Sequence, residues 1–276
     1  SLLKVSLPIS KKNNAKSIYN KNIYLNFAKY ILNCQDSDGG IRWEPSSKLD
    51  PWDHIESAMG LDILGFESES KKAYKWLESH QETDGSWYSL YYSSETNLLK
   101  ETNFSSYIAV GMWHHYLNFK DKKFLREFWP VLDLAIKFTL SGQTEHGDIC
   151  WAKDQENWLD DSLKTGCSSI YMSLISYKKI AKEIKAKDRV TDEQLKKLKN
   201  CINSKSYRFD RNWESKSRYS MDWYYPILSG AFNKNRSIST IKERWNDFVI
   251  DELGCKCVAE EPWVTAAESS ELVLAL

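Results

Sequence analysis

Apolar residues along this chain fall mostly three and four positions apart, the spacing of helices that bury one face. Asp50-Pro51 reads as an N-cap followed by proline at the first helical position. Ile55, Met59, Ile63 and Leu64 then recur until Gly65 ends the run. The same grammar predicts helices from Thr102 to Phe119, from Thr165 to about Ile180, from Trp223 to Phe232 behind Asp222, and from Trp263 to Leu276 behind Glu261-Pro262. Between them lie Lys- and Glu-rich amphipathic segments at 22–34, 67–79, 122–141, 191–204 and 239–251. Sheet signals are poor, because no Asn-Gly or Asp-Gly pair sits between alternating residues.

One phrase recurs in register. Gln35, Gln81 and Gln143 each follow a Lys-aromatic pair (Lys29-Tyr30, Lys75-Trp76, Lys137-Phe138) and precede Gly39, Gly85 and Gly147, with Trp43, Trp87 and Trp151 beyond. Spacings of 46 and 62 residues suit a helical hairpin plus a loop. The expected fold is all-α: a single domain over residues 1–276, built as an α/α toroid, or barrel, of about ten to twelve antiparallel helices in inner and outer rings.

Composition adds limits. A chain of 276 residues buries roughly three quarters of its unfolded surface, enough for a sizeable core. The 38 basic and 38 acidic residues balance, which gives no global pull toward nucleic acid or an anionic membrane. The basic tract from Lys178 to Lys199 is interleaved with Glu183, Asp188, Asp192 and Glu193 and reads as a solvated helix surface. Six scattered cysteines form no metal spacing; Cys255-x-Cys257 is too close for the usual zinc pair. With no signal-peptide pattern and no long apolar run, the expectation is a cytoplasmic protein without membrane insertion, metal or organic cofactor.

In such a toroid the loops carrying the three Gly-Trp phrases all lead from an outer to an inner helix, so they share one face with the inner-helix N-termini. Free N–H donors and partial positive charge gather there. Residues expected at this mouth are Trp43, Asp50, Trp52, Asp53, His54, Thr102, Asn103, Asp148, Trp151, Thr165, Asp222, Trp223, Trp263 and Thr265, with Glu56 and Glu268 a turn deeper. The string from Asp50 to Glu56 places three carboxylates and an imidazole within two turns. Capping and helix electrostatics explain Asp50 and Asp53 cheaply, but Trp52 and His54 among them favour chemistry. In Trp113-His114-His115 the two neighbouring histidines point in different directions on a helix and form no two-His metal face, so core or groove lining is the reading. Asp36-Ser37-Asp38-Gly39 starts like a calcium loop but lacks the later ligands. Aromatics at 13% of the chain suit a sugar cleft or a carbocation cavity.

The Gln-x-x-x-Gly-x-x-x-Trp and Gln-x-x-x-Gly-x-Trp phrases resemble the repeats of prenyltransferase and squalene-cyclase-like toroids. Yet Trp158-Leu159-Asp160-Asp161 lacks the first acid of a cyclase Asp-x-Asp-Asp, and no Asp, Cys and His zinc set can be assembled. The segments Asp50-Pro51-Trp52-Asp53-His54, Thr102-Asn103, Met221 to Pro226 and Pro262 to Glu268 resemble more closely the prenyltransferase-like methylmannose polysaccharide hydrolase group. That resemblance implies a glycosidase of α-mannosidase or α-glucanase type acting on an α-linked, methylated mannose or glucose polymer, with catalysis carried by Asp50 and Asp53.

The expectation is therefore carboxylate catalysis. Asp53 is the acid; Asp50 is its partner, with Glu268 or Asp222 as the alternative across the mouth. Trp43, Trp52, His54, Glu56, Asn103, Trp151, Asp222, Trp223 and Trp263 would hold the saccharide. The partner is a saccharide chain rather than nucleic acid, with a homodimer left open. Two alternatives stand: an isoprenoid cyclase or transferase using the aromatic funnel, and a non-catalytic carbohydrate-binding toroid.

Overall fold

The computed structural model describes residues 21–92 and 96–276. It is an all-α toroid with two rings. The inner helices are α2 (Pro51–Ile63), α4 (Thr102–Phe119), α7 (Lys164–Ile184), α9 (Ser220–Leu228) and α11 (Ala266–Ala275), each packed against the next. Outside them lie α1 (Lys21–Asn33), α3 (Glu67–Ser79), α6 (Trp129–Ser141), α8 (Asp192–Ser204) and α10 (Lys234–Phe248). A short α5 (Lys122–Glu127) links α4 to α6. Among the described residues no helix is long and apolar enough to cross a membrane.

The recurring phrase is a staple between outer helices. Gln35 Nε2 donates to the Gly39 carbonyl (3.1 Å) and to the Glu69 carbonyl of α3 (3.0 Å). Gln81 does the same to Gly85 (3.0 Å) and Val131 of α6 (2.8 Å), and Gln143 to Gly147 (3.2 Å) and Gln194 of α8 (3.1 Å). Each glycine has φ near +100° and lies so close to the following outer helix that a Cβ would sit 2.2–2.5 Å from the carbonyl of Lys72, Leu134 or Lys197. Only glycine fits a left-handed backbone pressed on another main chain. Gln81→Ala removes the hydrogen bond to Val131 that ties the loop after α3 to α6 and the bond to Gly85 that shapes that loop, and is expected to lower stability by roughly 1–3 kcal/mol. A urea midpoint shift at constant m-value measures this.

The mouth loops are stitched in turn. Leu49 pairs with Tyr91, joining the first two loops. Strand β1 (Leu90–Tyr91) pairs with β2 (Thr96–Asn97), and β3 (Lys100–Glu101) with β4 (Ala152–Lys153), the latter joining the second loop to the third. The Asp210 N–H donates to the Ser162 carbonyl, Tyr219 bridges Val258, and β5 (Val249–Ile250) pairs with β6 (Gly254–Cys255) to frame the last loop. These ladders are too short to leave an alternating pattern, which is why the sequence shows no strand.

Several expected boundaries move. The predicted segment 122–141 breaks at Phe128, ahead of Pro130, which has no N–H to continue the helix ladder. The final inner helix starts at Ala266, not Trp263, because Thr265 is the residue that caps it. Helix α9 ends at Leu228, short of Phe232, and α10 begins behind the Asn233 cap.

Candidate active site

Asp50 is the N-cap of α2, and both its oxygens are engaged. Oδ1 accepts the Asp53 backbone N–H at 2.9 Å, and Oδ2 accepts the indole N–H of Trp43 at 2.5 Å. The acid is buried, while Trp43 remains half exposed with the Lys48 ammonium 3.5 Å above its ring. The capping reading and the site reading thus meet in one residue: Asp50 shapes the turn that presents Asp53.

Asp53 opens to solvent at the top of a cleft of about 450 Å³ that also contains Trp43 and Glu56. Though reachable by water, the carboxyl is crowded by the cleft walls. That desolvation, with repulsion from Asp50 and Glu56, pushes it up to about 7; Lys48 opposes this weakly. Glu56, one turn after Asp53 and on the same face, accepts from the Tyr107 hydroxyl at 3.1 Å. Burial, then repulsion from Glu271, raises its carboxyl to about 7.

Glu271 is the residue that sequence reading missed. It lies on α11, accepts from the Tyr224 hydroxyl, and is pushed up to about 7 by burial and by repulsion from Glu268 and Asp53. Glu268 sits one turn before it, where Thr265 caps the helix and donates to its carboxylate. Residues three apart share a helix face, so the i+3 relation to Glu268 was the available signal. Glu101, at the N-cap of α4, is likewise raised to about 7, by burial and then repulsion from Asp50. Acids of α2 and its cap thus lie within electrostatic reach of Glu101 before α4 and Glu271 on α11.

The other aromatic and polar residues expected at the mouth make contacts of their own. Trp52 stacks on Tyr107 with centroids 4.0 Å apart and contacts Phe104 and Tyr225. Asn103, in the first turn of α4, lies beside Gly166 of α7. Trp151 is half buried against Trp213, centroids 5.1 Å apart. Trp263 is exposed on the loop before α11. Asp222 is buried between Lys164 and Thr165, each 3.5 Å away, and burial raises its carboxyl.

Of the expected site residues, Trp43, Asp53 and Glu56 line the cleft, while His54 and Trp223 are turned elsewhere. His54 is buried with Nδ1 accepting the Ile41 N–H (3.0 Å) and Nε2 facing the Ala73 carbonyl (2.9 Å); burial lowers its pKa to about 4. It is a neutral peg between α2 and α3. Trp223 stacks on Phe248 of α10 and donates to the Thr240 carbonyl at 2.7 Å, so it packs the two rings together. His114 and His115 both turn toward the buried Asp62, at 3.4 and 2.8 Å. No group of three His, Cys, Asp or Glu side chains among the described residues is placed to hold a metal ion.

No protein-family model matches the chain. It is 36% identical over 250 residues to the MMP endo-(1,4)-3-O-methyl-alpha-D-mannosidase of Mycolicibacterium hassiacum, covering 90% of this chain and 68% of that protein. Among solved structures, an alpha-amylase from Clostridium perfringens is similar at a TM-score of 0.64 with 10% identity, covering 95% of this chain and 83% of that one. A D-mannose isomerase is similar at 0.63 with 11% identity, covering 92% and 84%. Identities this low establish the fold alone, and an isomerase on the same toroid means that the architecture does not choose the reaction.

Proposed function

The chain belongs to the glycoside hydrolase family of the MMP endo-(1,4)-3-O-methyl-alpha-D-mannosidase, and on that premise we propose that it hydrolyses an α-linked polysaccharide of methylated mannose. The observation that supports this reading is the electrostatic proximity of Asp53 on α2 to Glu271 on α11, beside a cleft that holds Trp43 and Glu56. In this reading Asp53 protonates the glycosidic oxygen as the C–O bond breaks. A carboxylate from α11, Glu268, acts on the opposite side, on water or on the anomeric carbon. Asp50 fixes the turn beneath Asp53 and its charge helps keep that acid protonated near neutrality. Trp43, Trp52, Asn103, Trp151 and Trp263 offer ring faces and an amide to the sugar, with Glu56 and Asp222 available to its hydroxyls.

The rival isoprenoid reading requires a mostly apolar cavity. The acids of this mouth speak against it.

The test is an assay of 3-O-methylated α-(1,4)-mannan oligosaccharides beside unmethylated mannan and α-glucan, with products sized by mass spectrometry. Cleavage of the methylated chain alone or by preference is expected; cleavage of none of the three overturns the reading. The pH profile follows from the acid. Because Asp53 must carry its proton and loses it near 7, kcat/KM is expected to fall tenfold per unit as pH rises above that value. A profile flat to pH 9 would remove Asp53 from the role.

A further inference from the structure

A second cleft, of about 460 Å³, lies on the rim between residues 97–99 of the second mouth loop and 154–157 of the third. The β3–β4 ladder, next to both lips in sequence, pairs the two loops. Each lip is a formed turn. Asp154 Oδ1 accepts the backbone N–H groups of Glu156 (2.8 Å) and Asn157 (2.6 Å), and Asn97 Oδ1 accepts that of Leu99 (3.0 Å). The side chains of Gln155, Glu156 and Asn157 are exposed and make no hydrogen bond among the described residues, and Leu98 beside them is exposed as well.

This lining matches one ligand chemistry. Amides donate and accept at once, as sugar hydroxyls do, and a leucine covers C–H faces or O-methyl groups. The volume lies within the range of small-molecule pockets. Charge is modest and mixed with amides, unlike a cation cage or a polyanion groove. The two lips lead into α4 and α7, one and two helices along the ring from α2. At 8–10 Å between packed helices, the cleft lies roughly 10–20 Å from Asp53, too far for the unit whose bond is broken.

We propose that this rim cleft is an accessory subsite that grips non-reacting units of a long glycan, on the α4–α7 side of the scissile bond; the inference rests on the glycan reading above. A chain held there and at Asp53 together is cut internally, and long substrates gain over short ones.

The experiment compares wild type with the double variant Gln155→Ala/Asn157→Ala on a length series of methylated mannan oligosaccharides. Loss of two or three hydrogen bonds is expected to raise KM about tenfold for the longest chains, leaving kcat and the shortest cleaved substrate unchanged. Equal losses at every length, or no loss, overturn the subsite. Should wild type cleave no member of the series, the hydrolytic reading fails by itself. Calorimetric binding of the same oligosaccharides then decides the cleft: affinity that grows with length in wild type but not in the double variant supports it, and identical affinities overturn it.

Discussion

Asp53→Asn is expected to cut turnover by two to four orders of magnitude, the range for loss of a positioned general acid, with the helical circular dichroism and glycan binding preserved. The cap survives the change because the backbone N–H of residue 53 still donates to Asp50 Oδ1. An amide also fits the same space. The substitution carries a second, opposite consequence. A carboxyl raised to about 7 in the folded protein and near 4 in the unfolded chain binds more protons when folded across that window, so its stability term falls as pH rises through it. Glu56, Glu101 and Glu271 have the same sign. His54 opposes them: lowered to about 4, it penalises the folded state as pH falls below about 6.5. Wild type should therefore melt at a lower temperature at pH 8 than at pH 6. Asp53→Asn should melt above wild type at pH 8, with the gap closing toward pH 4. Retained turnover would exclude Asp53 as the acid; lost turnover with a lowered melting temperature at pH 8 would point to a folding defect instead.

Much of the scaffold was legible because its signals are local. Asp50-Pro51 marks a helix start that the structure keeps, Thr102 and Phe119 bound α4, and the Gln-Gly register marks the staples that join α1 to α3, α3 to α6 and α6 to α8. Side-chain direction was less legible, although helical geometry held part of it. Successive residues turn by about 100°. Asp53 and Glu56, about 60° apart, therefore share one face while His54, Ile55, Ala58 and Leu61 point into the core, with Asp50 buried as the non-helical cap. Trp223 departs from Asp222 by the same rotation. Glu271 was hidden because an acid before Leu272 reads as an ordinary polar position until α9 supplies Tyr224 opposite it. Loop-to-loop pairing was not legible at all: ladders of two residues leave no period, and their partners lie about 50 positions apart.

Asp148→Ala should be the most damaging single change to the fold. Its buried carboxylate lies in the third mouth loop and accepts from Thr144 Oγ1 (2.5 Å), Ser162 Oγ (2.8 Å), and both Nε and an Nη of Arg208 (3.0 Å each) from the fourth. Those partners hold its carboxyl below the usual carboxylate range despite burial. Its contribution is thus complete at neutral pH and lost only under strong acid, below about pH 4. Truncation leaves the mostly buried Arg208 guanidinium without its counter-charge and two hydroxyls without an acceptor. Breaking a buried pair from one side typically costs about 3–5 kcal/mol, a large share of the 5–15 kcal/mol that holds a domain of ordinary stability. Because Arg211 and Asp161 stitch the same two loops, the third and fourth loops should loosen together, and with them the Trp151–Trp213 pair. Asp148→Ala/Arg208→Met, which removes both charges, should recover much of the loss. Denaturant midpoints of the three proteins measure this. A double variant no more stable than Asp148→Ala would show that the stranded guanidinium is not the source of the defect.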